Sequence, residues 1–153
     1  MKISCNFFLG LLVASAFTLS CGKKSKDPAP AEAPLPVVGA KFTFEDKEYT
    51  AEPTKDSTWN GVFTQRAQPT PYWGLQLVFD QKPLRDTVLD MSKQDFLLVY
   101  FFAPDTYQMY GSSGKVNVKV RKGYITSTCT DCVIYRYTDR TYTRPITFEV
   151  TTK

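Results

Sequence analysis

The stretch Phe96–Phe102 reads FLLVYFF and is the longest apolar run outside the N-terminal leader. A short apolar run rich in aromatic and branched residues indicates a strand that is buried on both faces. Pro104 and Asp105 follow it, and both are typical of turns. We therefore predict that Phe96–Phe102 is the central strand of the domain.

Shorter stretches on both sides of this run alternate apolar and polar residues. In 116–120 and in 146–150 every second residue is apolar, which predicts strands with one buried and one wet face. The segment 72–79 has the same pattern, and 42–51 reads as a hairpin. In contrast, 81–93 is compatible with a helical turn or a short edge strand. About eight or nine short strands predict an all-β antiparallel β-sandwich, with a small lipocalin-like β-barrel as the alternative.

The N-terminus has the pattern of an export signal. Lys2 is followed by an apolar run from Phe7 to Leu19, which is shorter than the ~20 residues that a membrane-spanning helix needs. Ser20-Cys21-Gly22 resembles the end of a bacterial lipoprotein signal, although Thr18 replaces the usual leucine. That resemblance implies that Cys21 is acylated and becomes the new N-terminus. Ala14–Ala16 is the competing site for ordinary signal cleavage.

The predicted organisation has three parts: a signal peptide at 1–20, the lipidated Cys21 with a Pro/Ala-rich tether at 21–36, and a single β domain at 37–153. The tether has almost nothing to bury, so it is expected to be extended. This organisation is similar to that of small bacterial β-lipoproteins, a general likeness that transfers no functional residue. The expected location is the cell envelope, on the periplasmic or surface side of a membrane.

Charge and composition limit the chemistry. The formal net charge is +4, and residues 115–153 hold eight Lys/Arg against three Asp/Glu. Nucleic acid is a poor partner for an exported chain. Histidine is absent from the sequence, which removes the usual Ser-His-Asp, Cys-His and zinc-hydrolase arrangements. We predict no catalytic residue, no metal and no cofactor.

Cys129-Thr130-Asp131-Cys132 is the most specific motif. In thioredoxin-like proteins such a motif opens a helix, but here it lies between strand-like segments. Thr130-Asp131 is then expected to be the two-residue loop of a hairpin, with the cysteines facing each other at about 5.5 Å between α-carbons. In an oxidising compartment this predicts a structural Cys129–Cys132 disulfide. Redox activity and a half-built metal site are the alternatives.

Two other enzyme signals are weak. Gly111–Lys115 lacks the spacing of a phosphate loop and leads into a strand instead of a helix. The acids at 45–52 lie near a turn, where solvated carboxylates are expected. A carboxylate-based hydrolase or a thiol-disulfide exchanger at Cys129 and Cys132 is therefore the alternative to a non-catalytic function.

Aromatic and basic side chains near predicted loops are the remaining candidates for a binding site. Exposed Tyr and Trp rings stack on sugars or anchor protein partners. We predict a saccharide-binding or protein-binding module, with a structural or inhibitory envelope component as a further alternative. Arginines that alternate with Tyr135, Tyr137 and Tyr142 are suited to acidic ligands. The candidate residues are Trp59, Tyr72, Trp73, Tyr107, Tyr110, Arg136, Arg140 and Arg144.

Overall fold

A computed structural model of the chain describes residues 32–56, 62–93, 97–103 and 107–153. The chain divides into two units, Met1–Ala33 and Pro34–Lys153, and the fold described below is that of the second. The predicted signal peptide, Cys21 and Trp59 lie outside the described residues.

The described residues contain eleven strands and no α-helix. The strands are β1 Gly39–Phe44, β2 Lys47–Ala51, β3 Pro53–Asp56, β4 Phe63–Thr70, β5 Trp73–Phe79, β6 Thr87–Asp90, β7 Leu97–Ala103, β8 Tyr107–Ser113, β9 Lys115–Arg121, β10 Tyr124–Arg136 and β11 Asp139–Thr152. Within this part of the chain, no helix has the length and apolarity needed to cross a membrane.

The eleven strands follow eight segments of the chain, because three segments contain two strands each. Segment 47–56 holds β2 and β3, segment 87–103 holds β6 and β7, and segment 107–121 holds β8 and β9. Each segment pairs antiparallel with its neighbours in sequence, and β11 pairs with β1. The sheet is thereby nearly closed into a barrel. The all-β antiparallel prediction is confirmed, and the arrangement is the barrel alternative.

Closure depends on segment 47–56. Its first half, β2, pairs with β1, and its second half, β3, pairs with β4, with only Glu52 between them. The two edges of the sheet therefore meet in one continuous piece of chain. Closing a sheet in this way leaves few unpaired edges. β6 is the exception in the described sheet, since its one paired neighbour is β9.

The interior is packed by residues at every second position of the strands. In β11, Ile146, Phe148 and Val150 are buried, whereas Thr147 and Glu149 are exposed, as the alternation predicts. The largest fully buried apolar side chains are Phe42, Phe63, Phe79, Phe101, Leu75, Leu77, Met91, Met109, Ile125, Ile134 and Ile146.

The strand predicted at Phe96–Phe102 is confirmed as β7, Leu97–Ala103, but its predicted burial on both faces is wrong at Tyr100. Val99 and Phe101 are fully buried, but Tyr100 between them lies on the outer face and is half-buried. Phe96 lies outside the described residues. One face of β7 thus contributes Val99 and Phe101 to the core, and the other face presents the Tyr100 phenol at the surface.

The hairpin predicted at 42–51 is confirmed. Glu45 and Asp46 form the two-residue turn between β1 and β2, with φ of 49° and 60°. The glycine-rich stretch 111–114 does not reverse the chain, because β8 runs to Ser113, and β9 continues along the same neighbour, β10, after Gly114. Gly114, at φ 114°, is a kink in one long segment.

The disulfide between Cys129 and Cys132 is confirmed, with 5.9 Å between its α-carbons. The predicted hairpin around it is wrong. Both cysteines belong to β10, which stays paired with β11 on both sides of the motif, Cys129 with Phe148 and Cys132 with Ile146. Three residue steps on β10 therefore match two on β11, which is a β-bulge. The disulfide closes this bulge within one strand.

The barrel has two ends that differ in content. The end that holds residues 34–38, the turn 122–123 and Lys153 is called the lower end. The end that holds the turns 45–46, 71–72 and 137–138 is called the upper end. This assignment follows from the antiparallel order of the strands.

Candidate binding surface

Most of the predicted site residues lie at the upper end. Tyr72 lies in the turn between β4 and β5, and Arg140 and Arg144 lie in the first half of β11. Arg136 ends β10. Tyr110 is in the middle of β8. Tyr107 begins β8 at the same end, but its side chain is outside the described residues.

Three tyrosines lie side by side on the outer face of the barrel. Tyr100 of β7 is in register with Tyr110 of β8, and Tyr110 is in register with Tyr135 of β10. Their ring centroids are separated by 5.3 Å and 6.1 Å. The ring of Tyr137 lies 5.5 Å from that of Tyr110. We call these four residues the tyrosine surface, with Tyr110 at its centre.

The tyrosine surface is accessible to solvent. Tyr137 is 64% exposed, and the other three tyrosines are half-buried. Cross-strand aromatic pairs of this kind stabilise a sheet. On the outer face of the barrel, these rings stabilise the sheet and also remain partly exposed. The phenol groups present both a ring and a hydroxyl, which suits ligands with apolar and polar groups together.

Arginine side chains lie at both sides of the tyrosine surface. The guanidinium carbon of Arg140 lies 5.7 Å from the centroid of the Tyr135 ring. At the other side, Arg66 of β4 is aligned with Gln76 of β5, and Gln76 is aligned with Tyr100. The positive charge of Arg66 acts on Tyr100, where it opposes the rise of the tyrosine pKa. Cations beside aromatic rings make this surface favourable for acidic groups.

The pKa of Tyr100 is raised above its ordinary value. Burial among its neighbours is the main cause, because it penalises the charged phenolate, and Tyr110 adds to the effect. The phenol of Tyr100 therefore stays protonated to a higher pH than an ordinary tyrosine does.

A titration of tyrosine absorbance is expected to show a late step from Tyr100, above the ordinary value of about 10. Because the folded pKa is the higher one, the contribution of Tyr100 to stability is complete below the unfolded pKa and is lost as the pH rises through the folded value. Tyr100→Phe should remove the late step, whereas Tyr72→Phe, at an exposed turn, should leave it. A late step that persists in Tyr100→Phe contradicts this assignment.

Trp73 lies outside the tyrosine surface. Its side chain is half-buried, with the ring stacked 5.9 Å from Tyr49 and tilted 5.8 Å from the core residue Phe101. Tyr49 in turn stacks on Phe42 at 5.0 Å. Trp73 therefore packs the upper part of the interior, next to the segment that closes the barrel.

The three predicted arginines separate into two places. Arg140 accompanies the tyrosine surface, whereas Arg136 and Arg144 both pack on Tyr142, with guanidinium carbons 4.0 Å and 3.9 Å from its ring centroid. Glu45 accepts hydrogen bonds from the Tyr142 hydroxyl at 3.1 Å and from Arg144 Nε at 3.3 Å. The Glu45 contacts hold Arg144 and the turn between β1 and β2 against β11, and Arg136 stacks on the Tyr142 ring.

The cysteine motif has little capacity for chemistry in this state. Both sulfurs are joined, and both residues are 1% exposed. The Asp131 carboxylate lies 3.7 Å from the Cys129 sulfur, so a carboxylate and two sulfurs are close together. Metal binding requires thiolates, which an intact disulfide does not supply, and thiol-disulfide exchange requires an incoming thiolate to reach a sulfur, which the burial of both cysteines hinders.

Several acids in the described part of the chain have structural partners. Glu48 is ion-paired with Lys41 at 2.8 Å, and Asp86 accepts a hydrogen bond from the Val120 amide at 2.8 Å. The pKa of Asp90 is lowered, mainly by hydrogen bonds from Ser92, and that of Asp139 is lowered by hydrogen bonds from Thr141. A general acid at neutral pH needs the opposite shift.

The sequence analysis did not identify Tyr100, which belongs to the tyrosine surface, or Arg66, which lies beside it. Tyr100 lies within an apolar run, although its position between Val99 and Phe101 places it on the opposite face.

Comparison with protein-family models, with curated proteins and with solved structures found no match.

Proposed function

We propose that this chain is a lipid-anchored cell-envelope protein whose barrel is a non-catalytic binding module, and that the tyrosine surface contacts a saccharide or protein ligand. The observation that carries the proposal is the alignment of Tyr100, Tyr110 and Tyr135 on three adjacent strands with Tyr137 and Arg140 beside them. Aromatic rings with a nearby arginine are the side chains that contribute most to binding at interfaces.

The position of the surface also supports the proposal. Residues 34–38, with which the domain begins, lie at the lower end, and the predicted acylation site Cys21 precedes them in the sequence. The tyrosine surface lies toward the upper end. The tether and the accessible aromatic rings therefore lie toward opposite ends of the module, so the predicted anchor does not cover the binding residues.

Enzymatic alternatives receive no comparable support. The residues proposed for thiol exchange form a buried disulfide, and a carboxylate proposed for hydrolysis accepts a backbone hydrogen bond, so both have structural roles. A purely structural envelope component differs from a binding module in one measurable respect, since it has no ligand at the tyrosine surface.

Tyr110→Ala is expected to weaken ligand binding by about tenfold or more, because it removes the ring at the centre of the surface. Binding is measured first on glycan arrays and with envelope-protein pull-downs, and then as the affinity for each hit. Tyr124→Ala is the matched control, since Tyr124 is also half-buried but lies at the lower end. Hits that lose equal affinity in both variants contradict the assignment, as does a complete absence of hits.

A further inference from the structure

The lower end carries most of the large apolar side chains that the described domain exposes. Seven such residues are exposed, and two of them, Tyr72 and Tyr137, are upper-end tyrosines. The other five lie at or near the lower end, with Leu84 83% exposed and Val37 86% exposed. They are Leu35, Val37, Val38, Leu84 and Val88. Exposed aliphatic residues concentrated at one end of a domain mark an interaction site.

Basic side chains surround these apolar residues. Six cations are found in the lower-end segments 82–85 and 119–122 and at the last residue, whereas the acids that line the two lower-end cavities are Asp80, Asp86 and Glu149. Asp86 already accepts a hydrogen bond from the Val120 amide. The cations are Lys82, Arg85, Lys119, Arg121, Lys122 and Lys153.

Two cavities at this end combine the same residue types. A cavity of about 550 Å³ lies between the segment 79–85 and β6, and Lys82, Leu84 and Arg85 line it. A second cavity of about 680 Å³ lies beside Val37 and is lined by Lys119 and Arg121 together with Asp86 and Glu149. Aliphatic and cationic groups thus lie together at the lower end, where the six cations outnumber these three acids.

The chain enters the domain at this surface. Arg121 Nη1 donates a hydrogen bond to the Pro34 carbonyl at 3.0 Å, which holds the first residues of the domain on β9. The preceding sequence contains Lys23, Lys24 and Lys26, next to the predicted acylation site. Acylation through an extended tether keeps the domain close to the bilayer but does not fix its orientation, so any preferred orientation comes from the side chains of the domain itself.

We propose that the lower end docks on an anionic phospholipid bilayer, with Leu84 and Val37 among the headgroups and Lys122 and Lys153 at lipid phosphates. Aliphatic side chains enter the interfacial region, and basic side chains gain roughly fivefold in binding for each cation near an anionic surface. The inference depends on the proposed lipid anchorage. It deepens that proposal by fixing the orientation, which places the upper end roughly 30 Å above the headgroups.

The docking is tested with the acylated chain in vesicles and a fluorescent label on one introduced cysteine. In the mature chain Cys21 is acylated and Cys129 and Cys132 are oxidised, so the new thiol is the free one. Gln81→Cys places the label at the lower end, and Thr138→Cys places it at an exposed turn of the upper end. In vesicles that contain phosphatidylglycerol and a headgroup nitroxide lipid, we expect quenching at 81 and none at 138.

Charge removal tests the electrostatic part. Lys122→Gln with Lys153→Gln is expected to lower the ratio of docked to undocked protein about thirtyfold. Lys47→Gln with Lys93→Gln removes the same charge away from the lower end and should leave the quenching unchanged. Vesicles of phosphatidylcholine alone should give the weak quenching of the lower-end charge variant.

Equal quenching at both labels, or equal quenching in anionic and neutral vesicles, overturns the docking inference. The mass of the chain isolated from membranes reads the anchorage separately. A chain without acyl mass contradicts the proposed anchorage, whereas an acylated chain with an unquenched label at 81 contradicts only the docking. Ligand binding at the tyrosine surface is independent of both results.

Discussion

Replacing Gln65 by leucine is expected to lower the free energy of unfolding by about 4 kcal/mol, since it leaves several buried polar groups without a partner. Gln65 is fully buried in β4, on the inner face of the barrel. Its Nε2 donates to the Ile125 carbonyl and to Thr152 Oγ1, both at 2.9 Å, and its Oε1 accepts a hydrogen bond from Ser127 Oγ at 2.6 Å. All polar atoms of the amide are therefore satisfied inside an otherwise apolar core.

The cost is set by the partners rather than by the glutamine. Leucine is close to glutamine in size, so the substitution creates little cavity. What remains is a hydroxyl, a carbonyl and a second hydroxyl in an environment without water, at roughly 1–3 kcal/mol for each group. This network also joins β4 to β10 and β11, which are far apart along the sheet. It thus helps to hold opposite walls of the barrel at a fixed distance.

Urea unfolding measures this effect, with the midpoint and the slope fitted separately. Gln76→Leu on β5 is the control, because Gln76 is half-buried on the outer face, and its expected effect is within about 0.5 kcal/mol. Ser127→Ala in the Gln65→Leu background should cost less than in the native protein, because the hydroxyl is already unsatisfied. A loss below about 1 kcal/mol for Gln65→Leu would show that water or a side-chain shift satisfies the network.

The local parts of this fold were predictable because a single strand carries its own signal. Alternation in 116–120 and 146–150 places each residue on one face without knowledge of its partner strand. The same alternation also applies to Gln65, which lies on the same face of β4 as the buried Phe63 and Ala67. A polar residue on an apolar face, between two core positions, predicts a buried hydrogen-bonded network.

The candidate site was less predictable because it depends on register between strands. Tyr100, Tyr110 and Tyr135 are separate in sequence, and they meet only because β7, β8 and β10 are neighbours with matching registers. A shift of one residue in either pairing would place one ring inside the barrel. The hairpin prediction for the cysteine motif was wrong for a related reason. A two-residue loop and a one-residue bulge both interrupt the alternating pattern of a strand, and only the pairing with β11 distinguishes them.

The bulge has a further requirement that appears only in three dimensions. Gly114, at the joint of β8 and β9, lies against the bulged part of β10. A Cβ placed on Gly114 would be 2.7 Å from the Cys132 α-carbon and 3.1 Å from its sulfur. The same glycine accepts a hydrogen bond from the Met91 amide at 3.0 Å. Gly114 thus contacts two neighbouring segments where each departs from regular strand geometry.

Gly114→Ala is therefore expected to lower the free energy of unfolding by about 3 kcal/mol, from two causes. Alanine at φ 114° is strained by more than about 1 kcal/mol, and the contact with backbone in a closed bulge adds the cost of overpacking, about 1–3 kcal/mol. Thermal or urea unfolding measures the loss. The disulfide makes the contact hard to relieve, because it ties Cys132 to Cys129 and limits how far the bulge moves.

Two other glycines separate these causes experimentally. Gly39 has no atom within 4 Å of an added Cβ and no left-handed φ, so Gly39→Ala should be nearly neutral. Gly123 has open space but a φ of 83°, so Gly123→Ala should show the strain alone, about 1 kcal/mol. If Gly114→Ala costs no more than Gly123→Ala, the close approach to Cys132 is not a constraint on the fold. A larger loss in Gly114→Ala, reduced when Cys129 and Cys132 are both replaced by alanine, would locate the constraint in the disulfide-closed bulge.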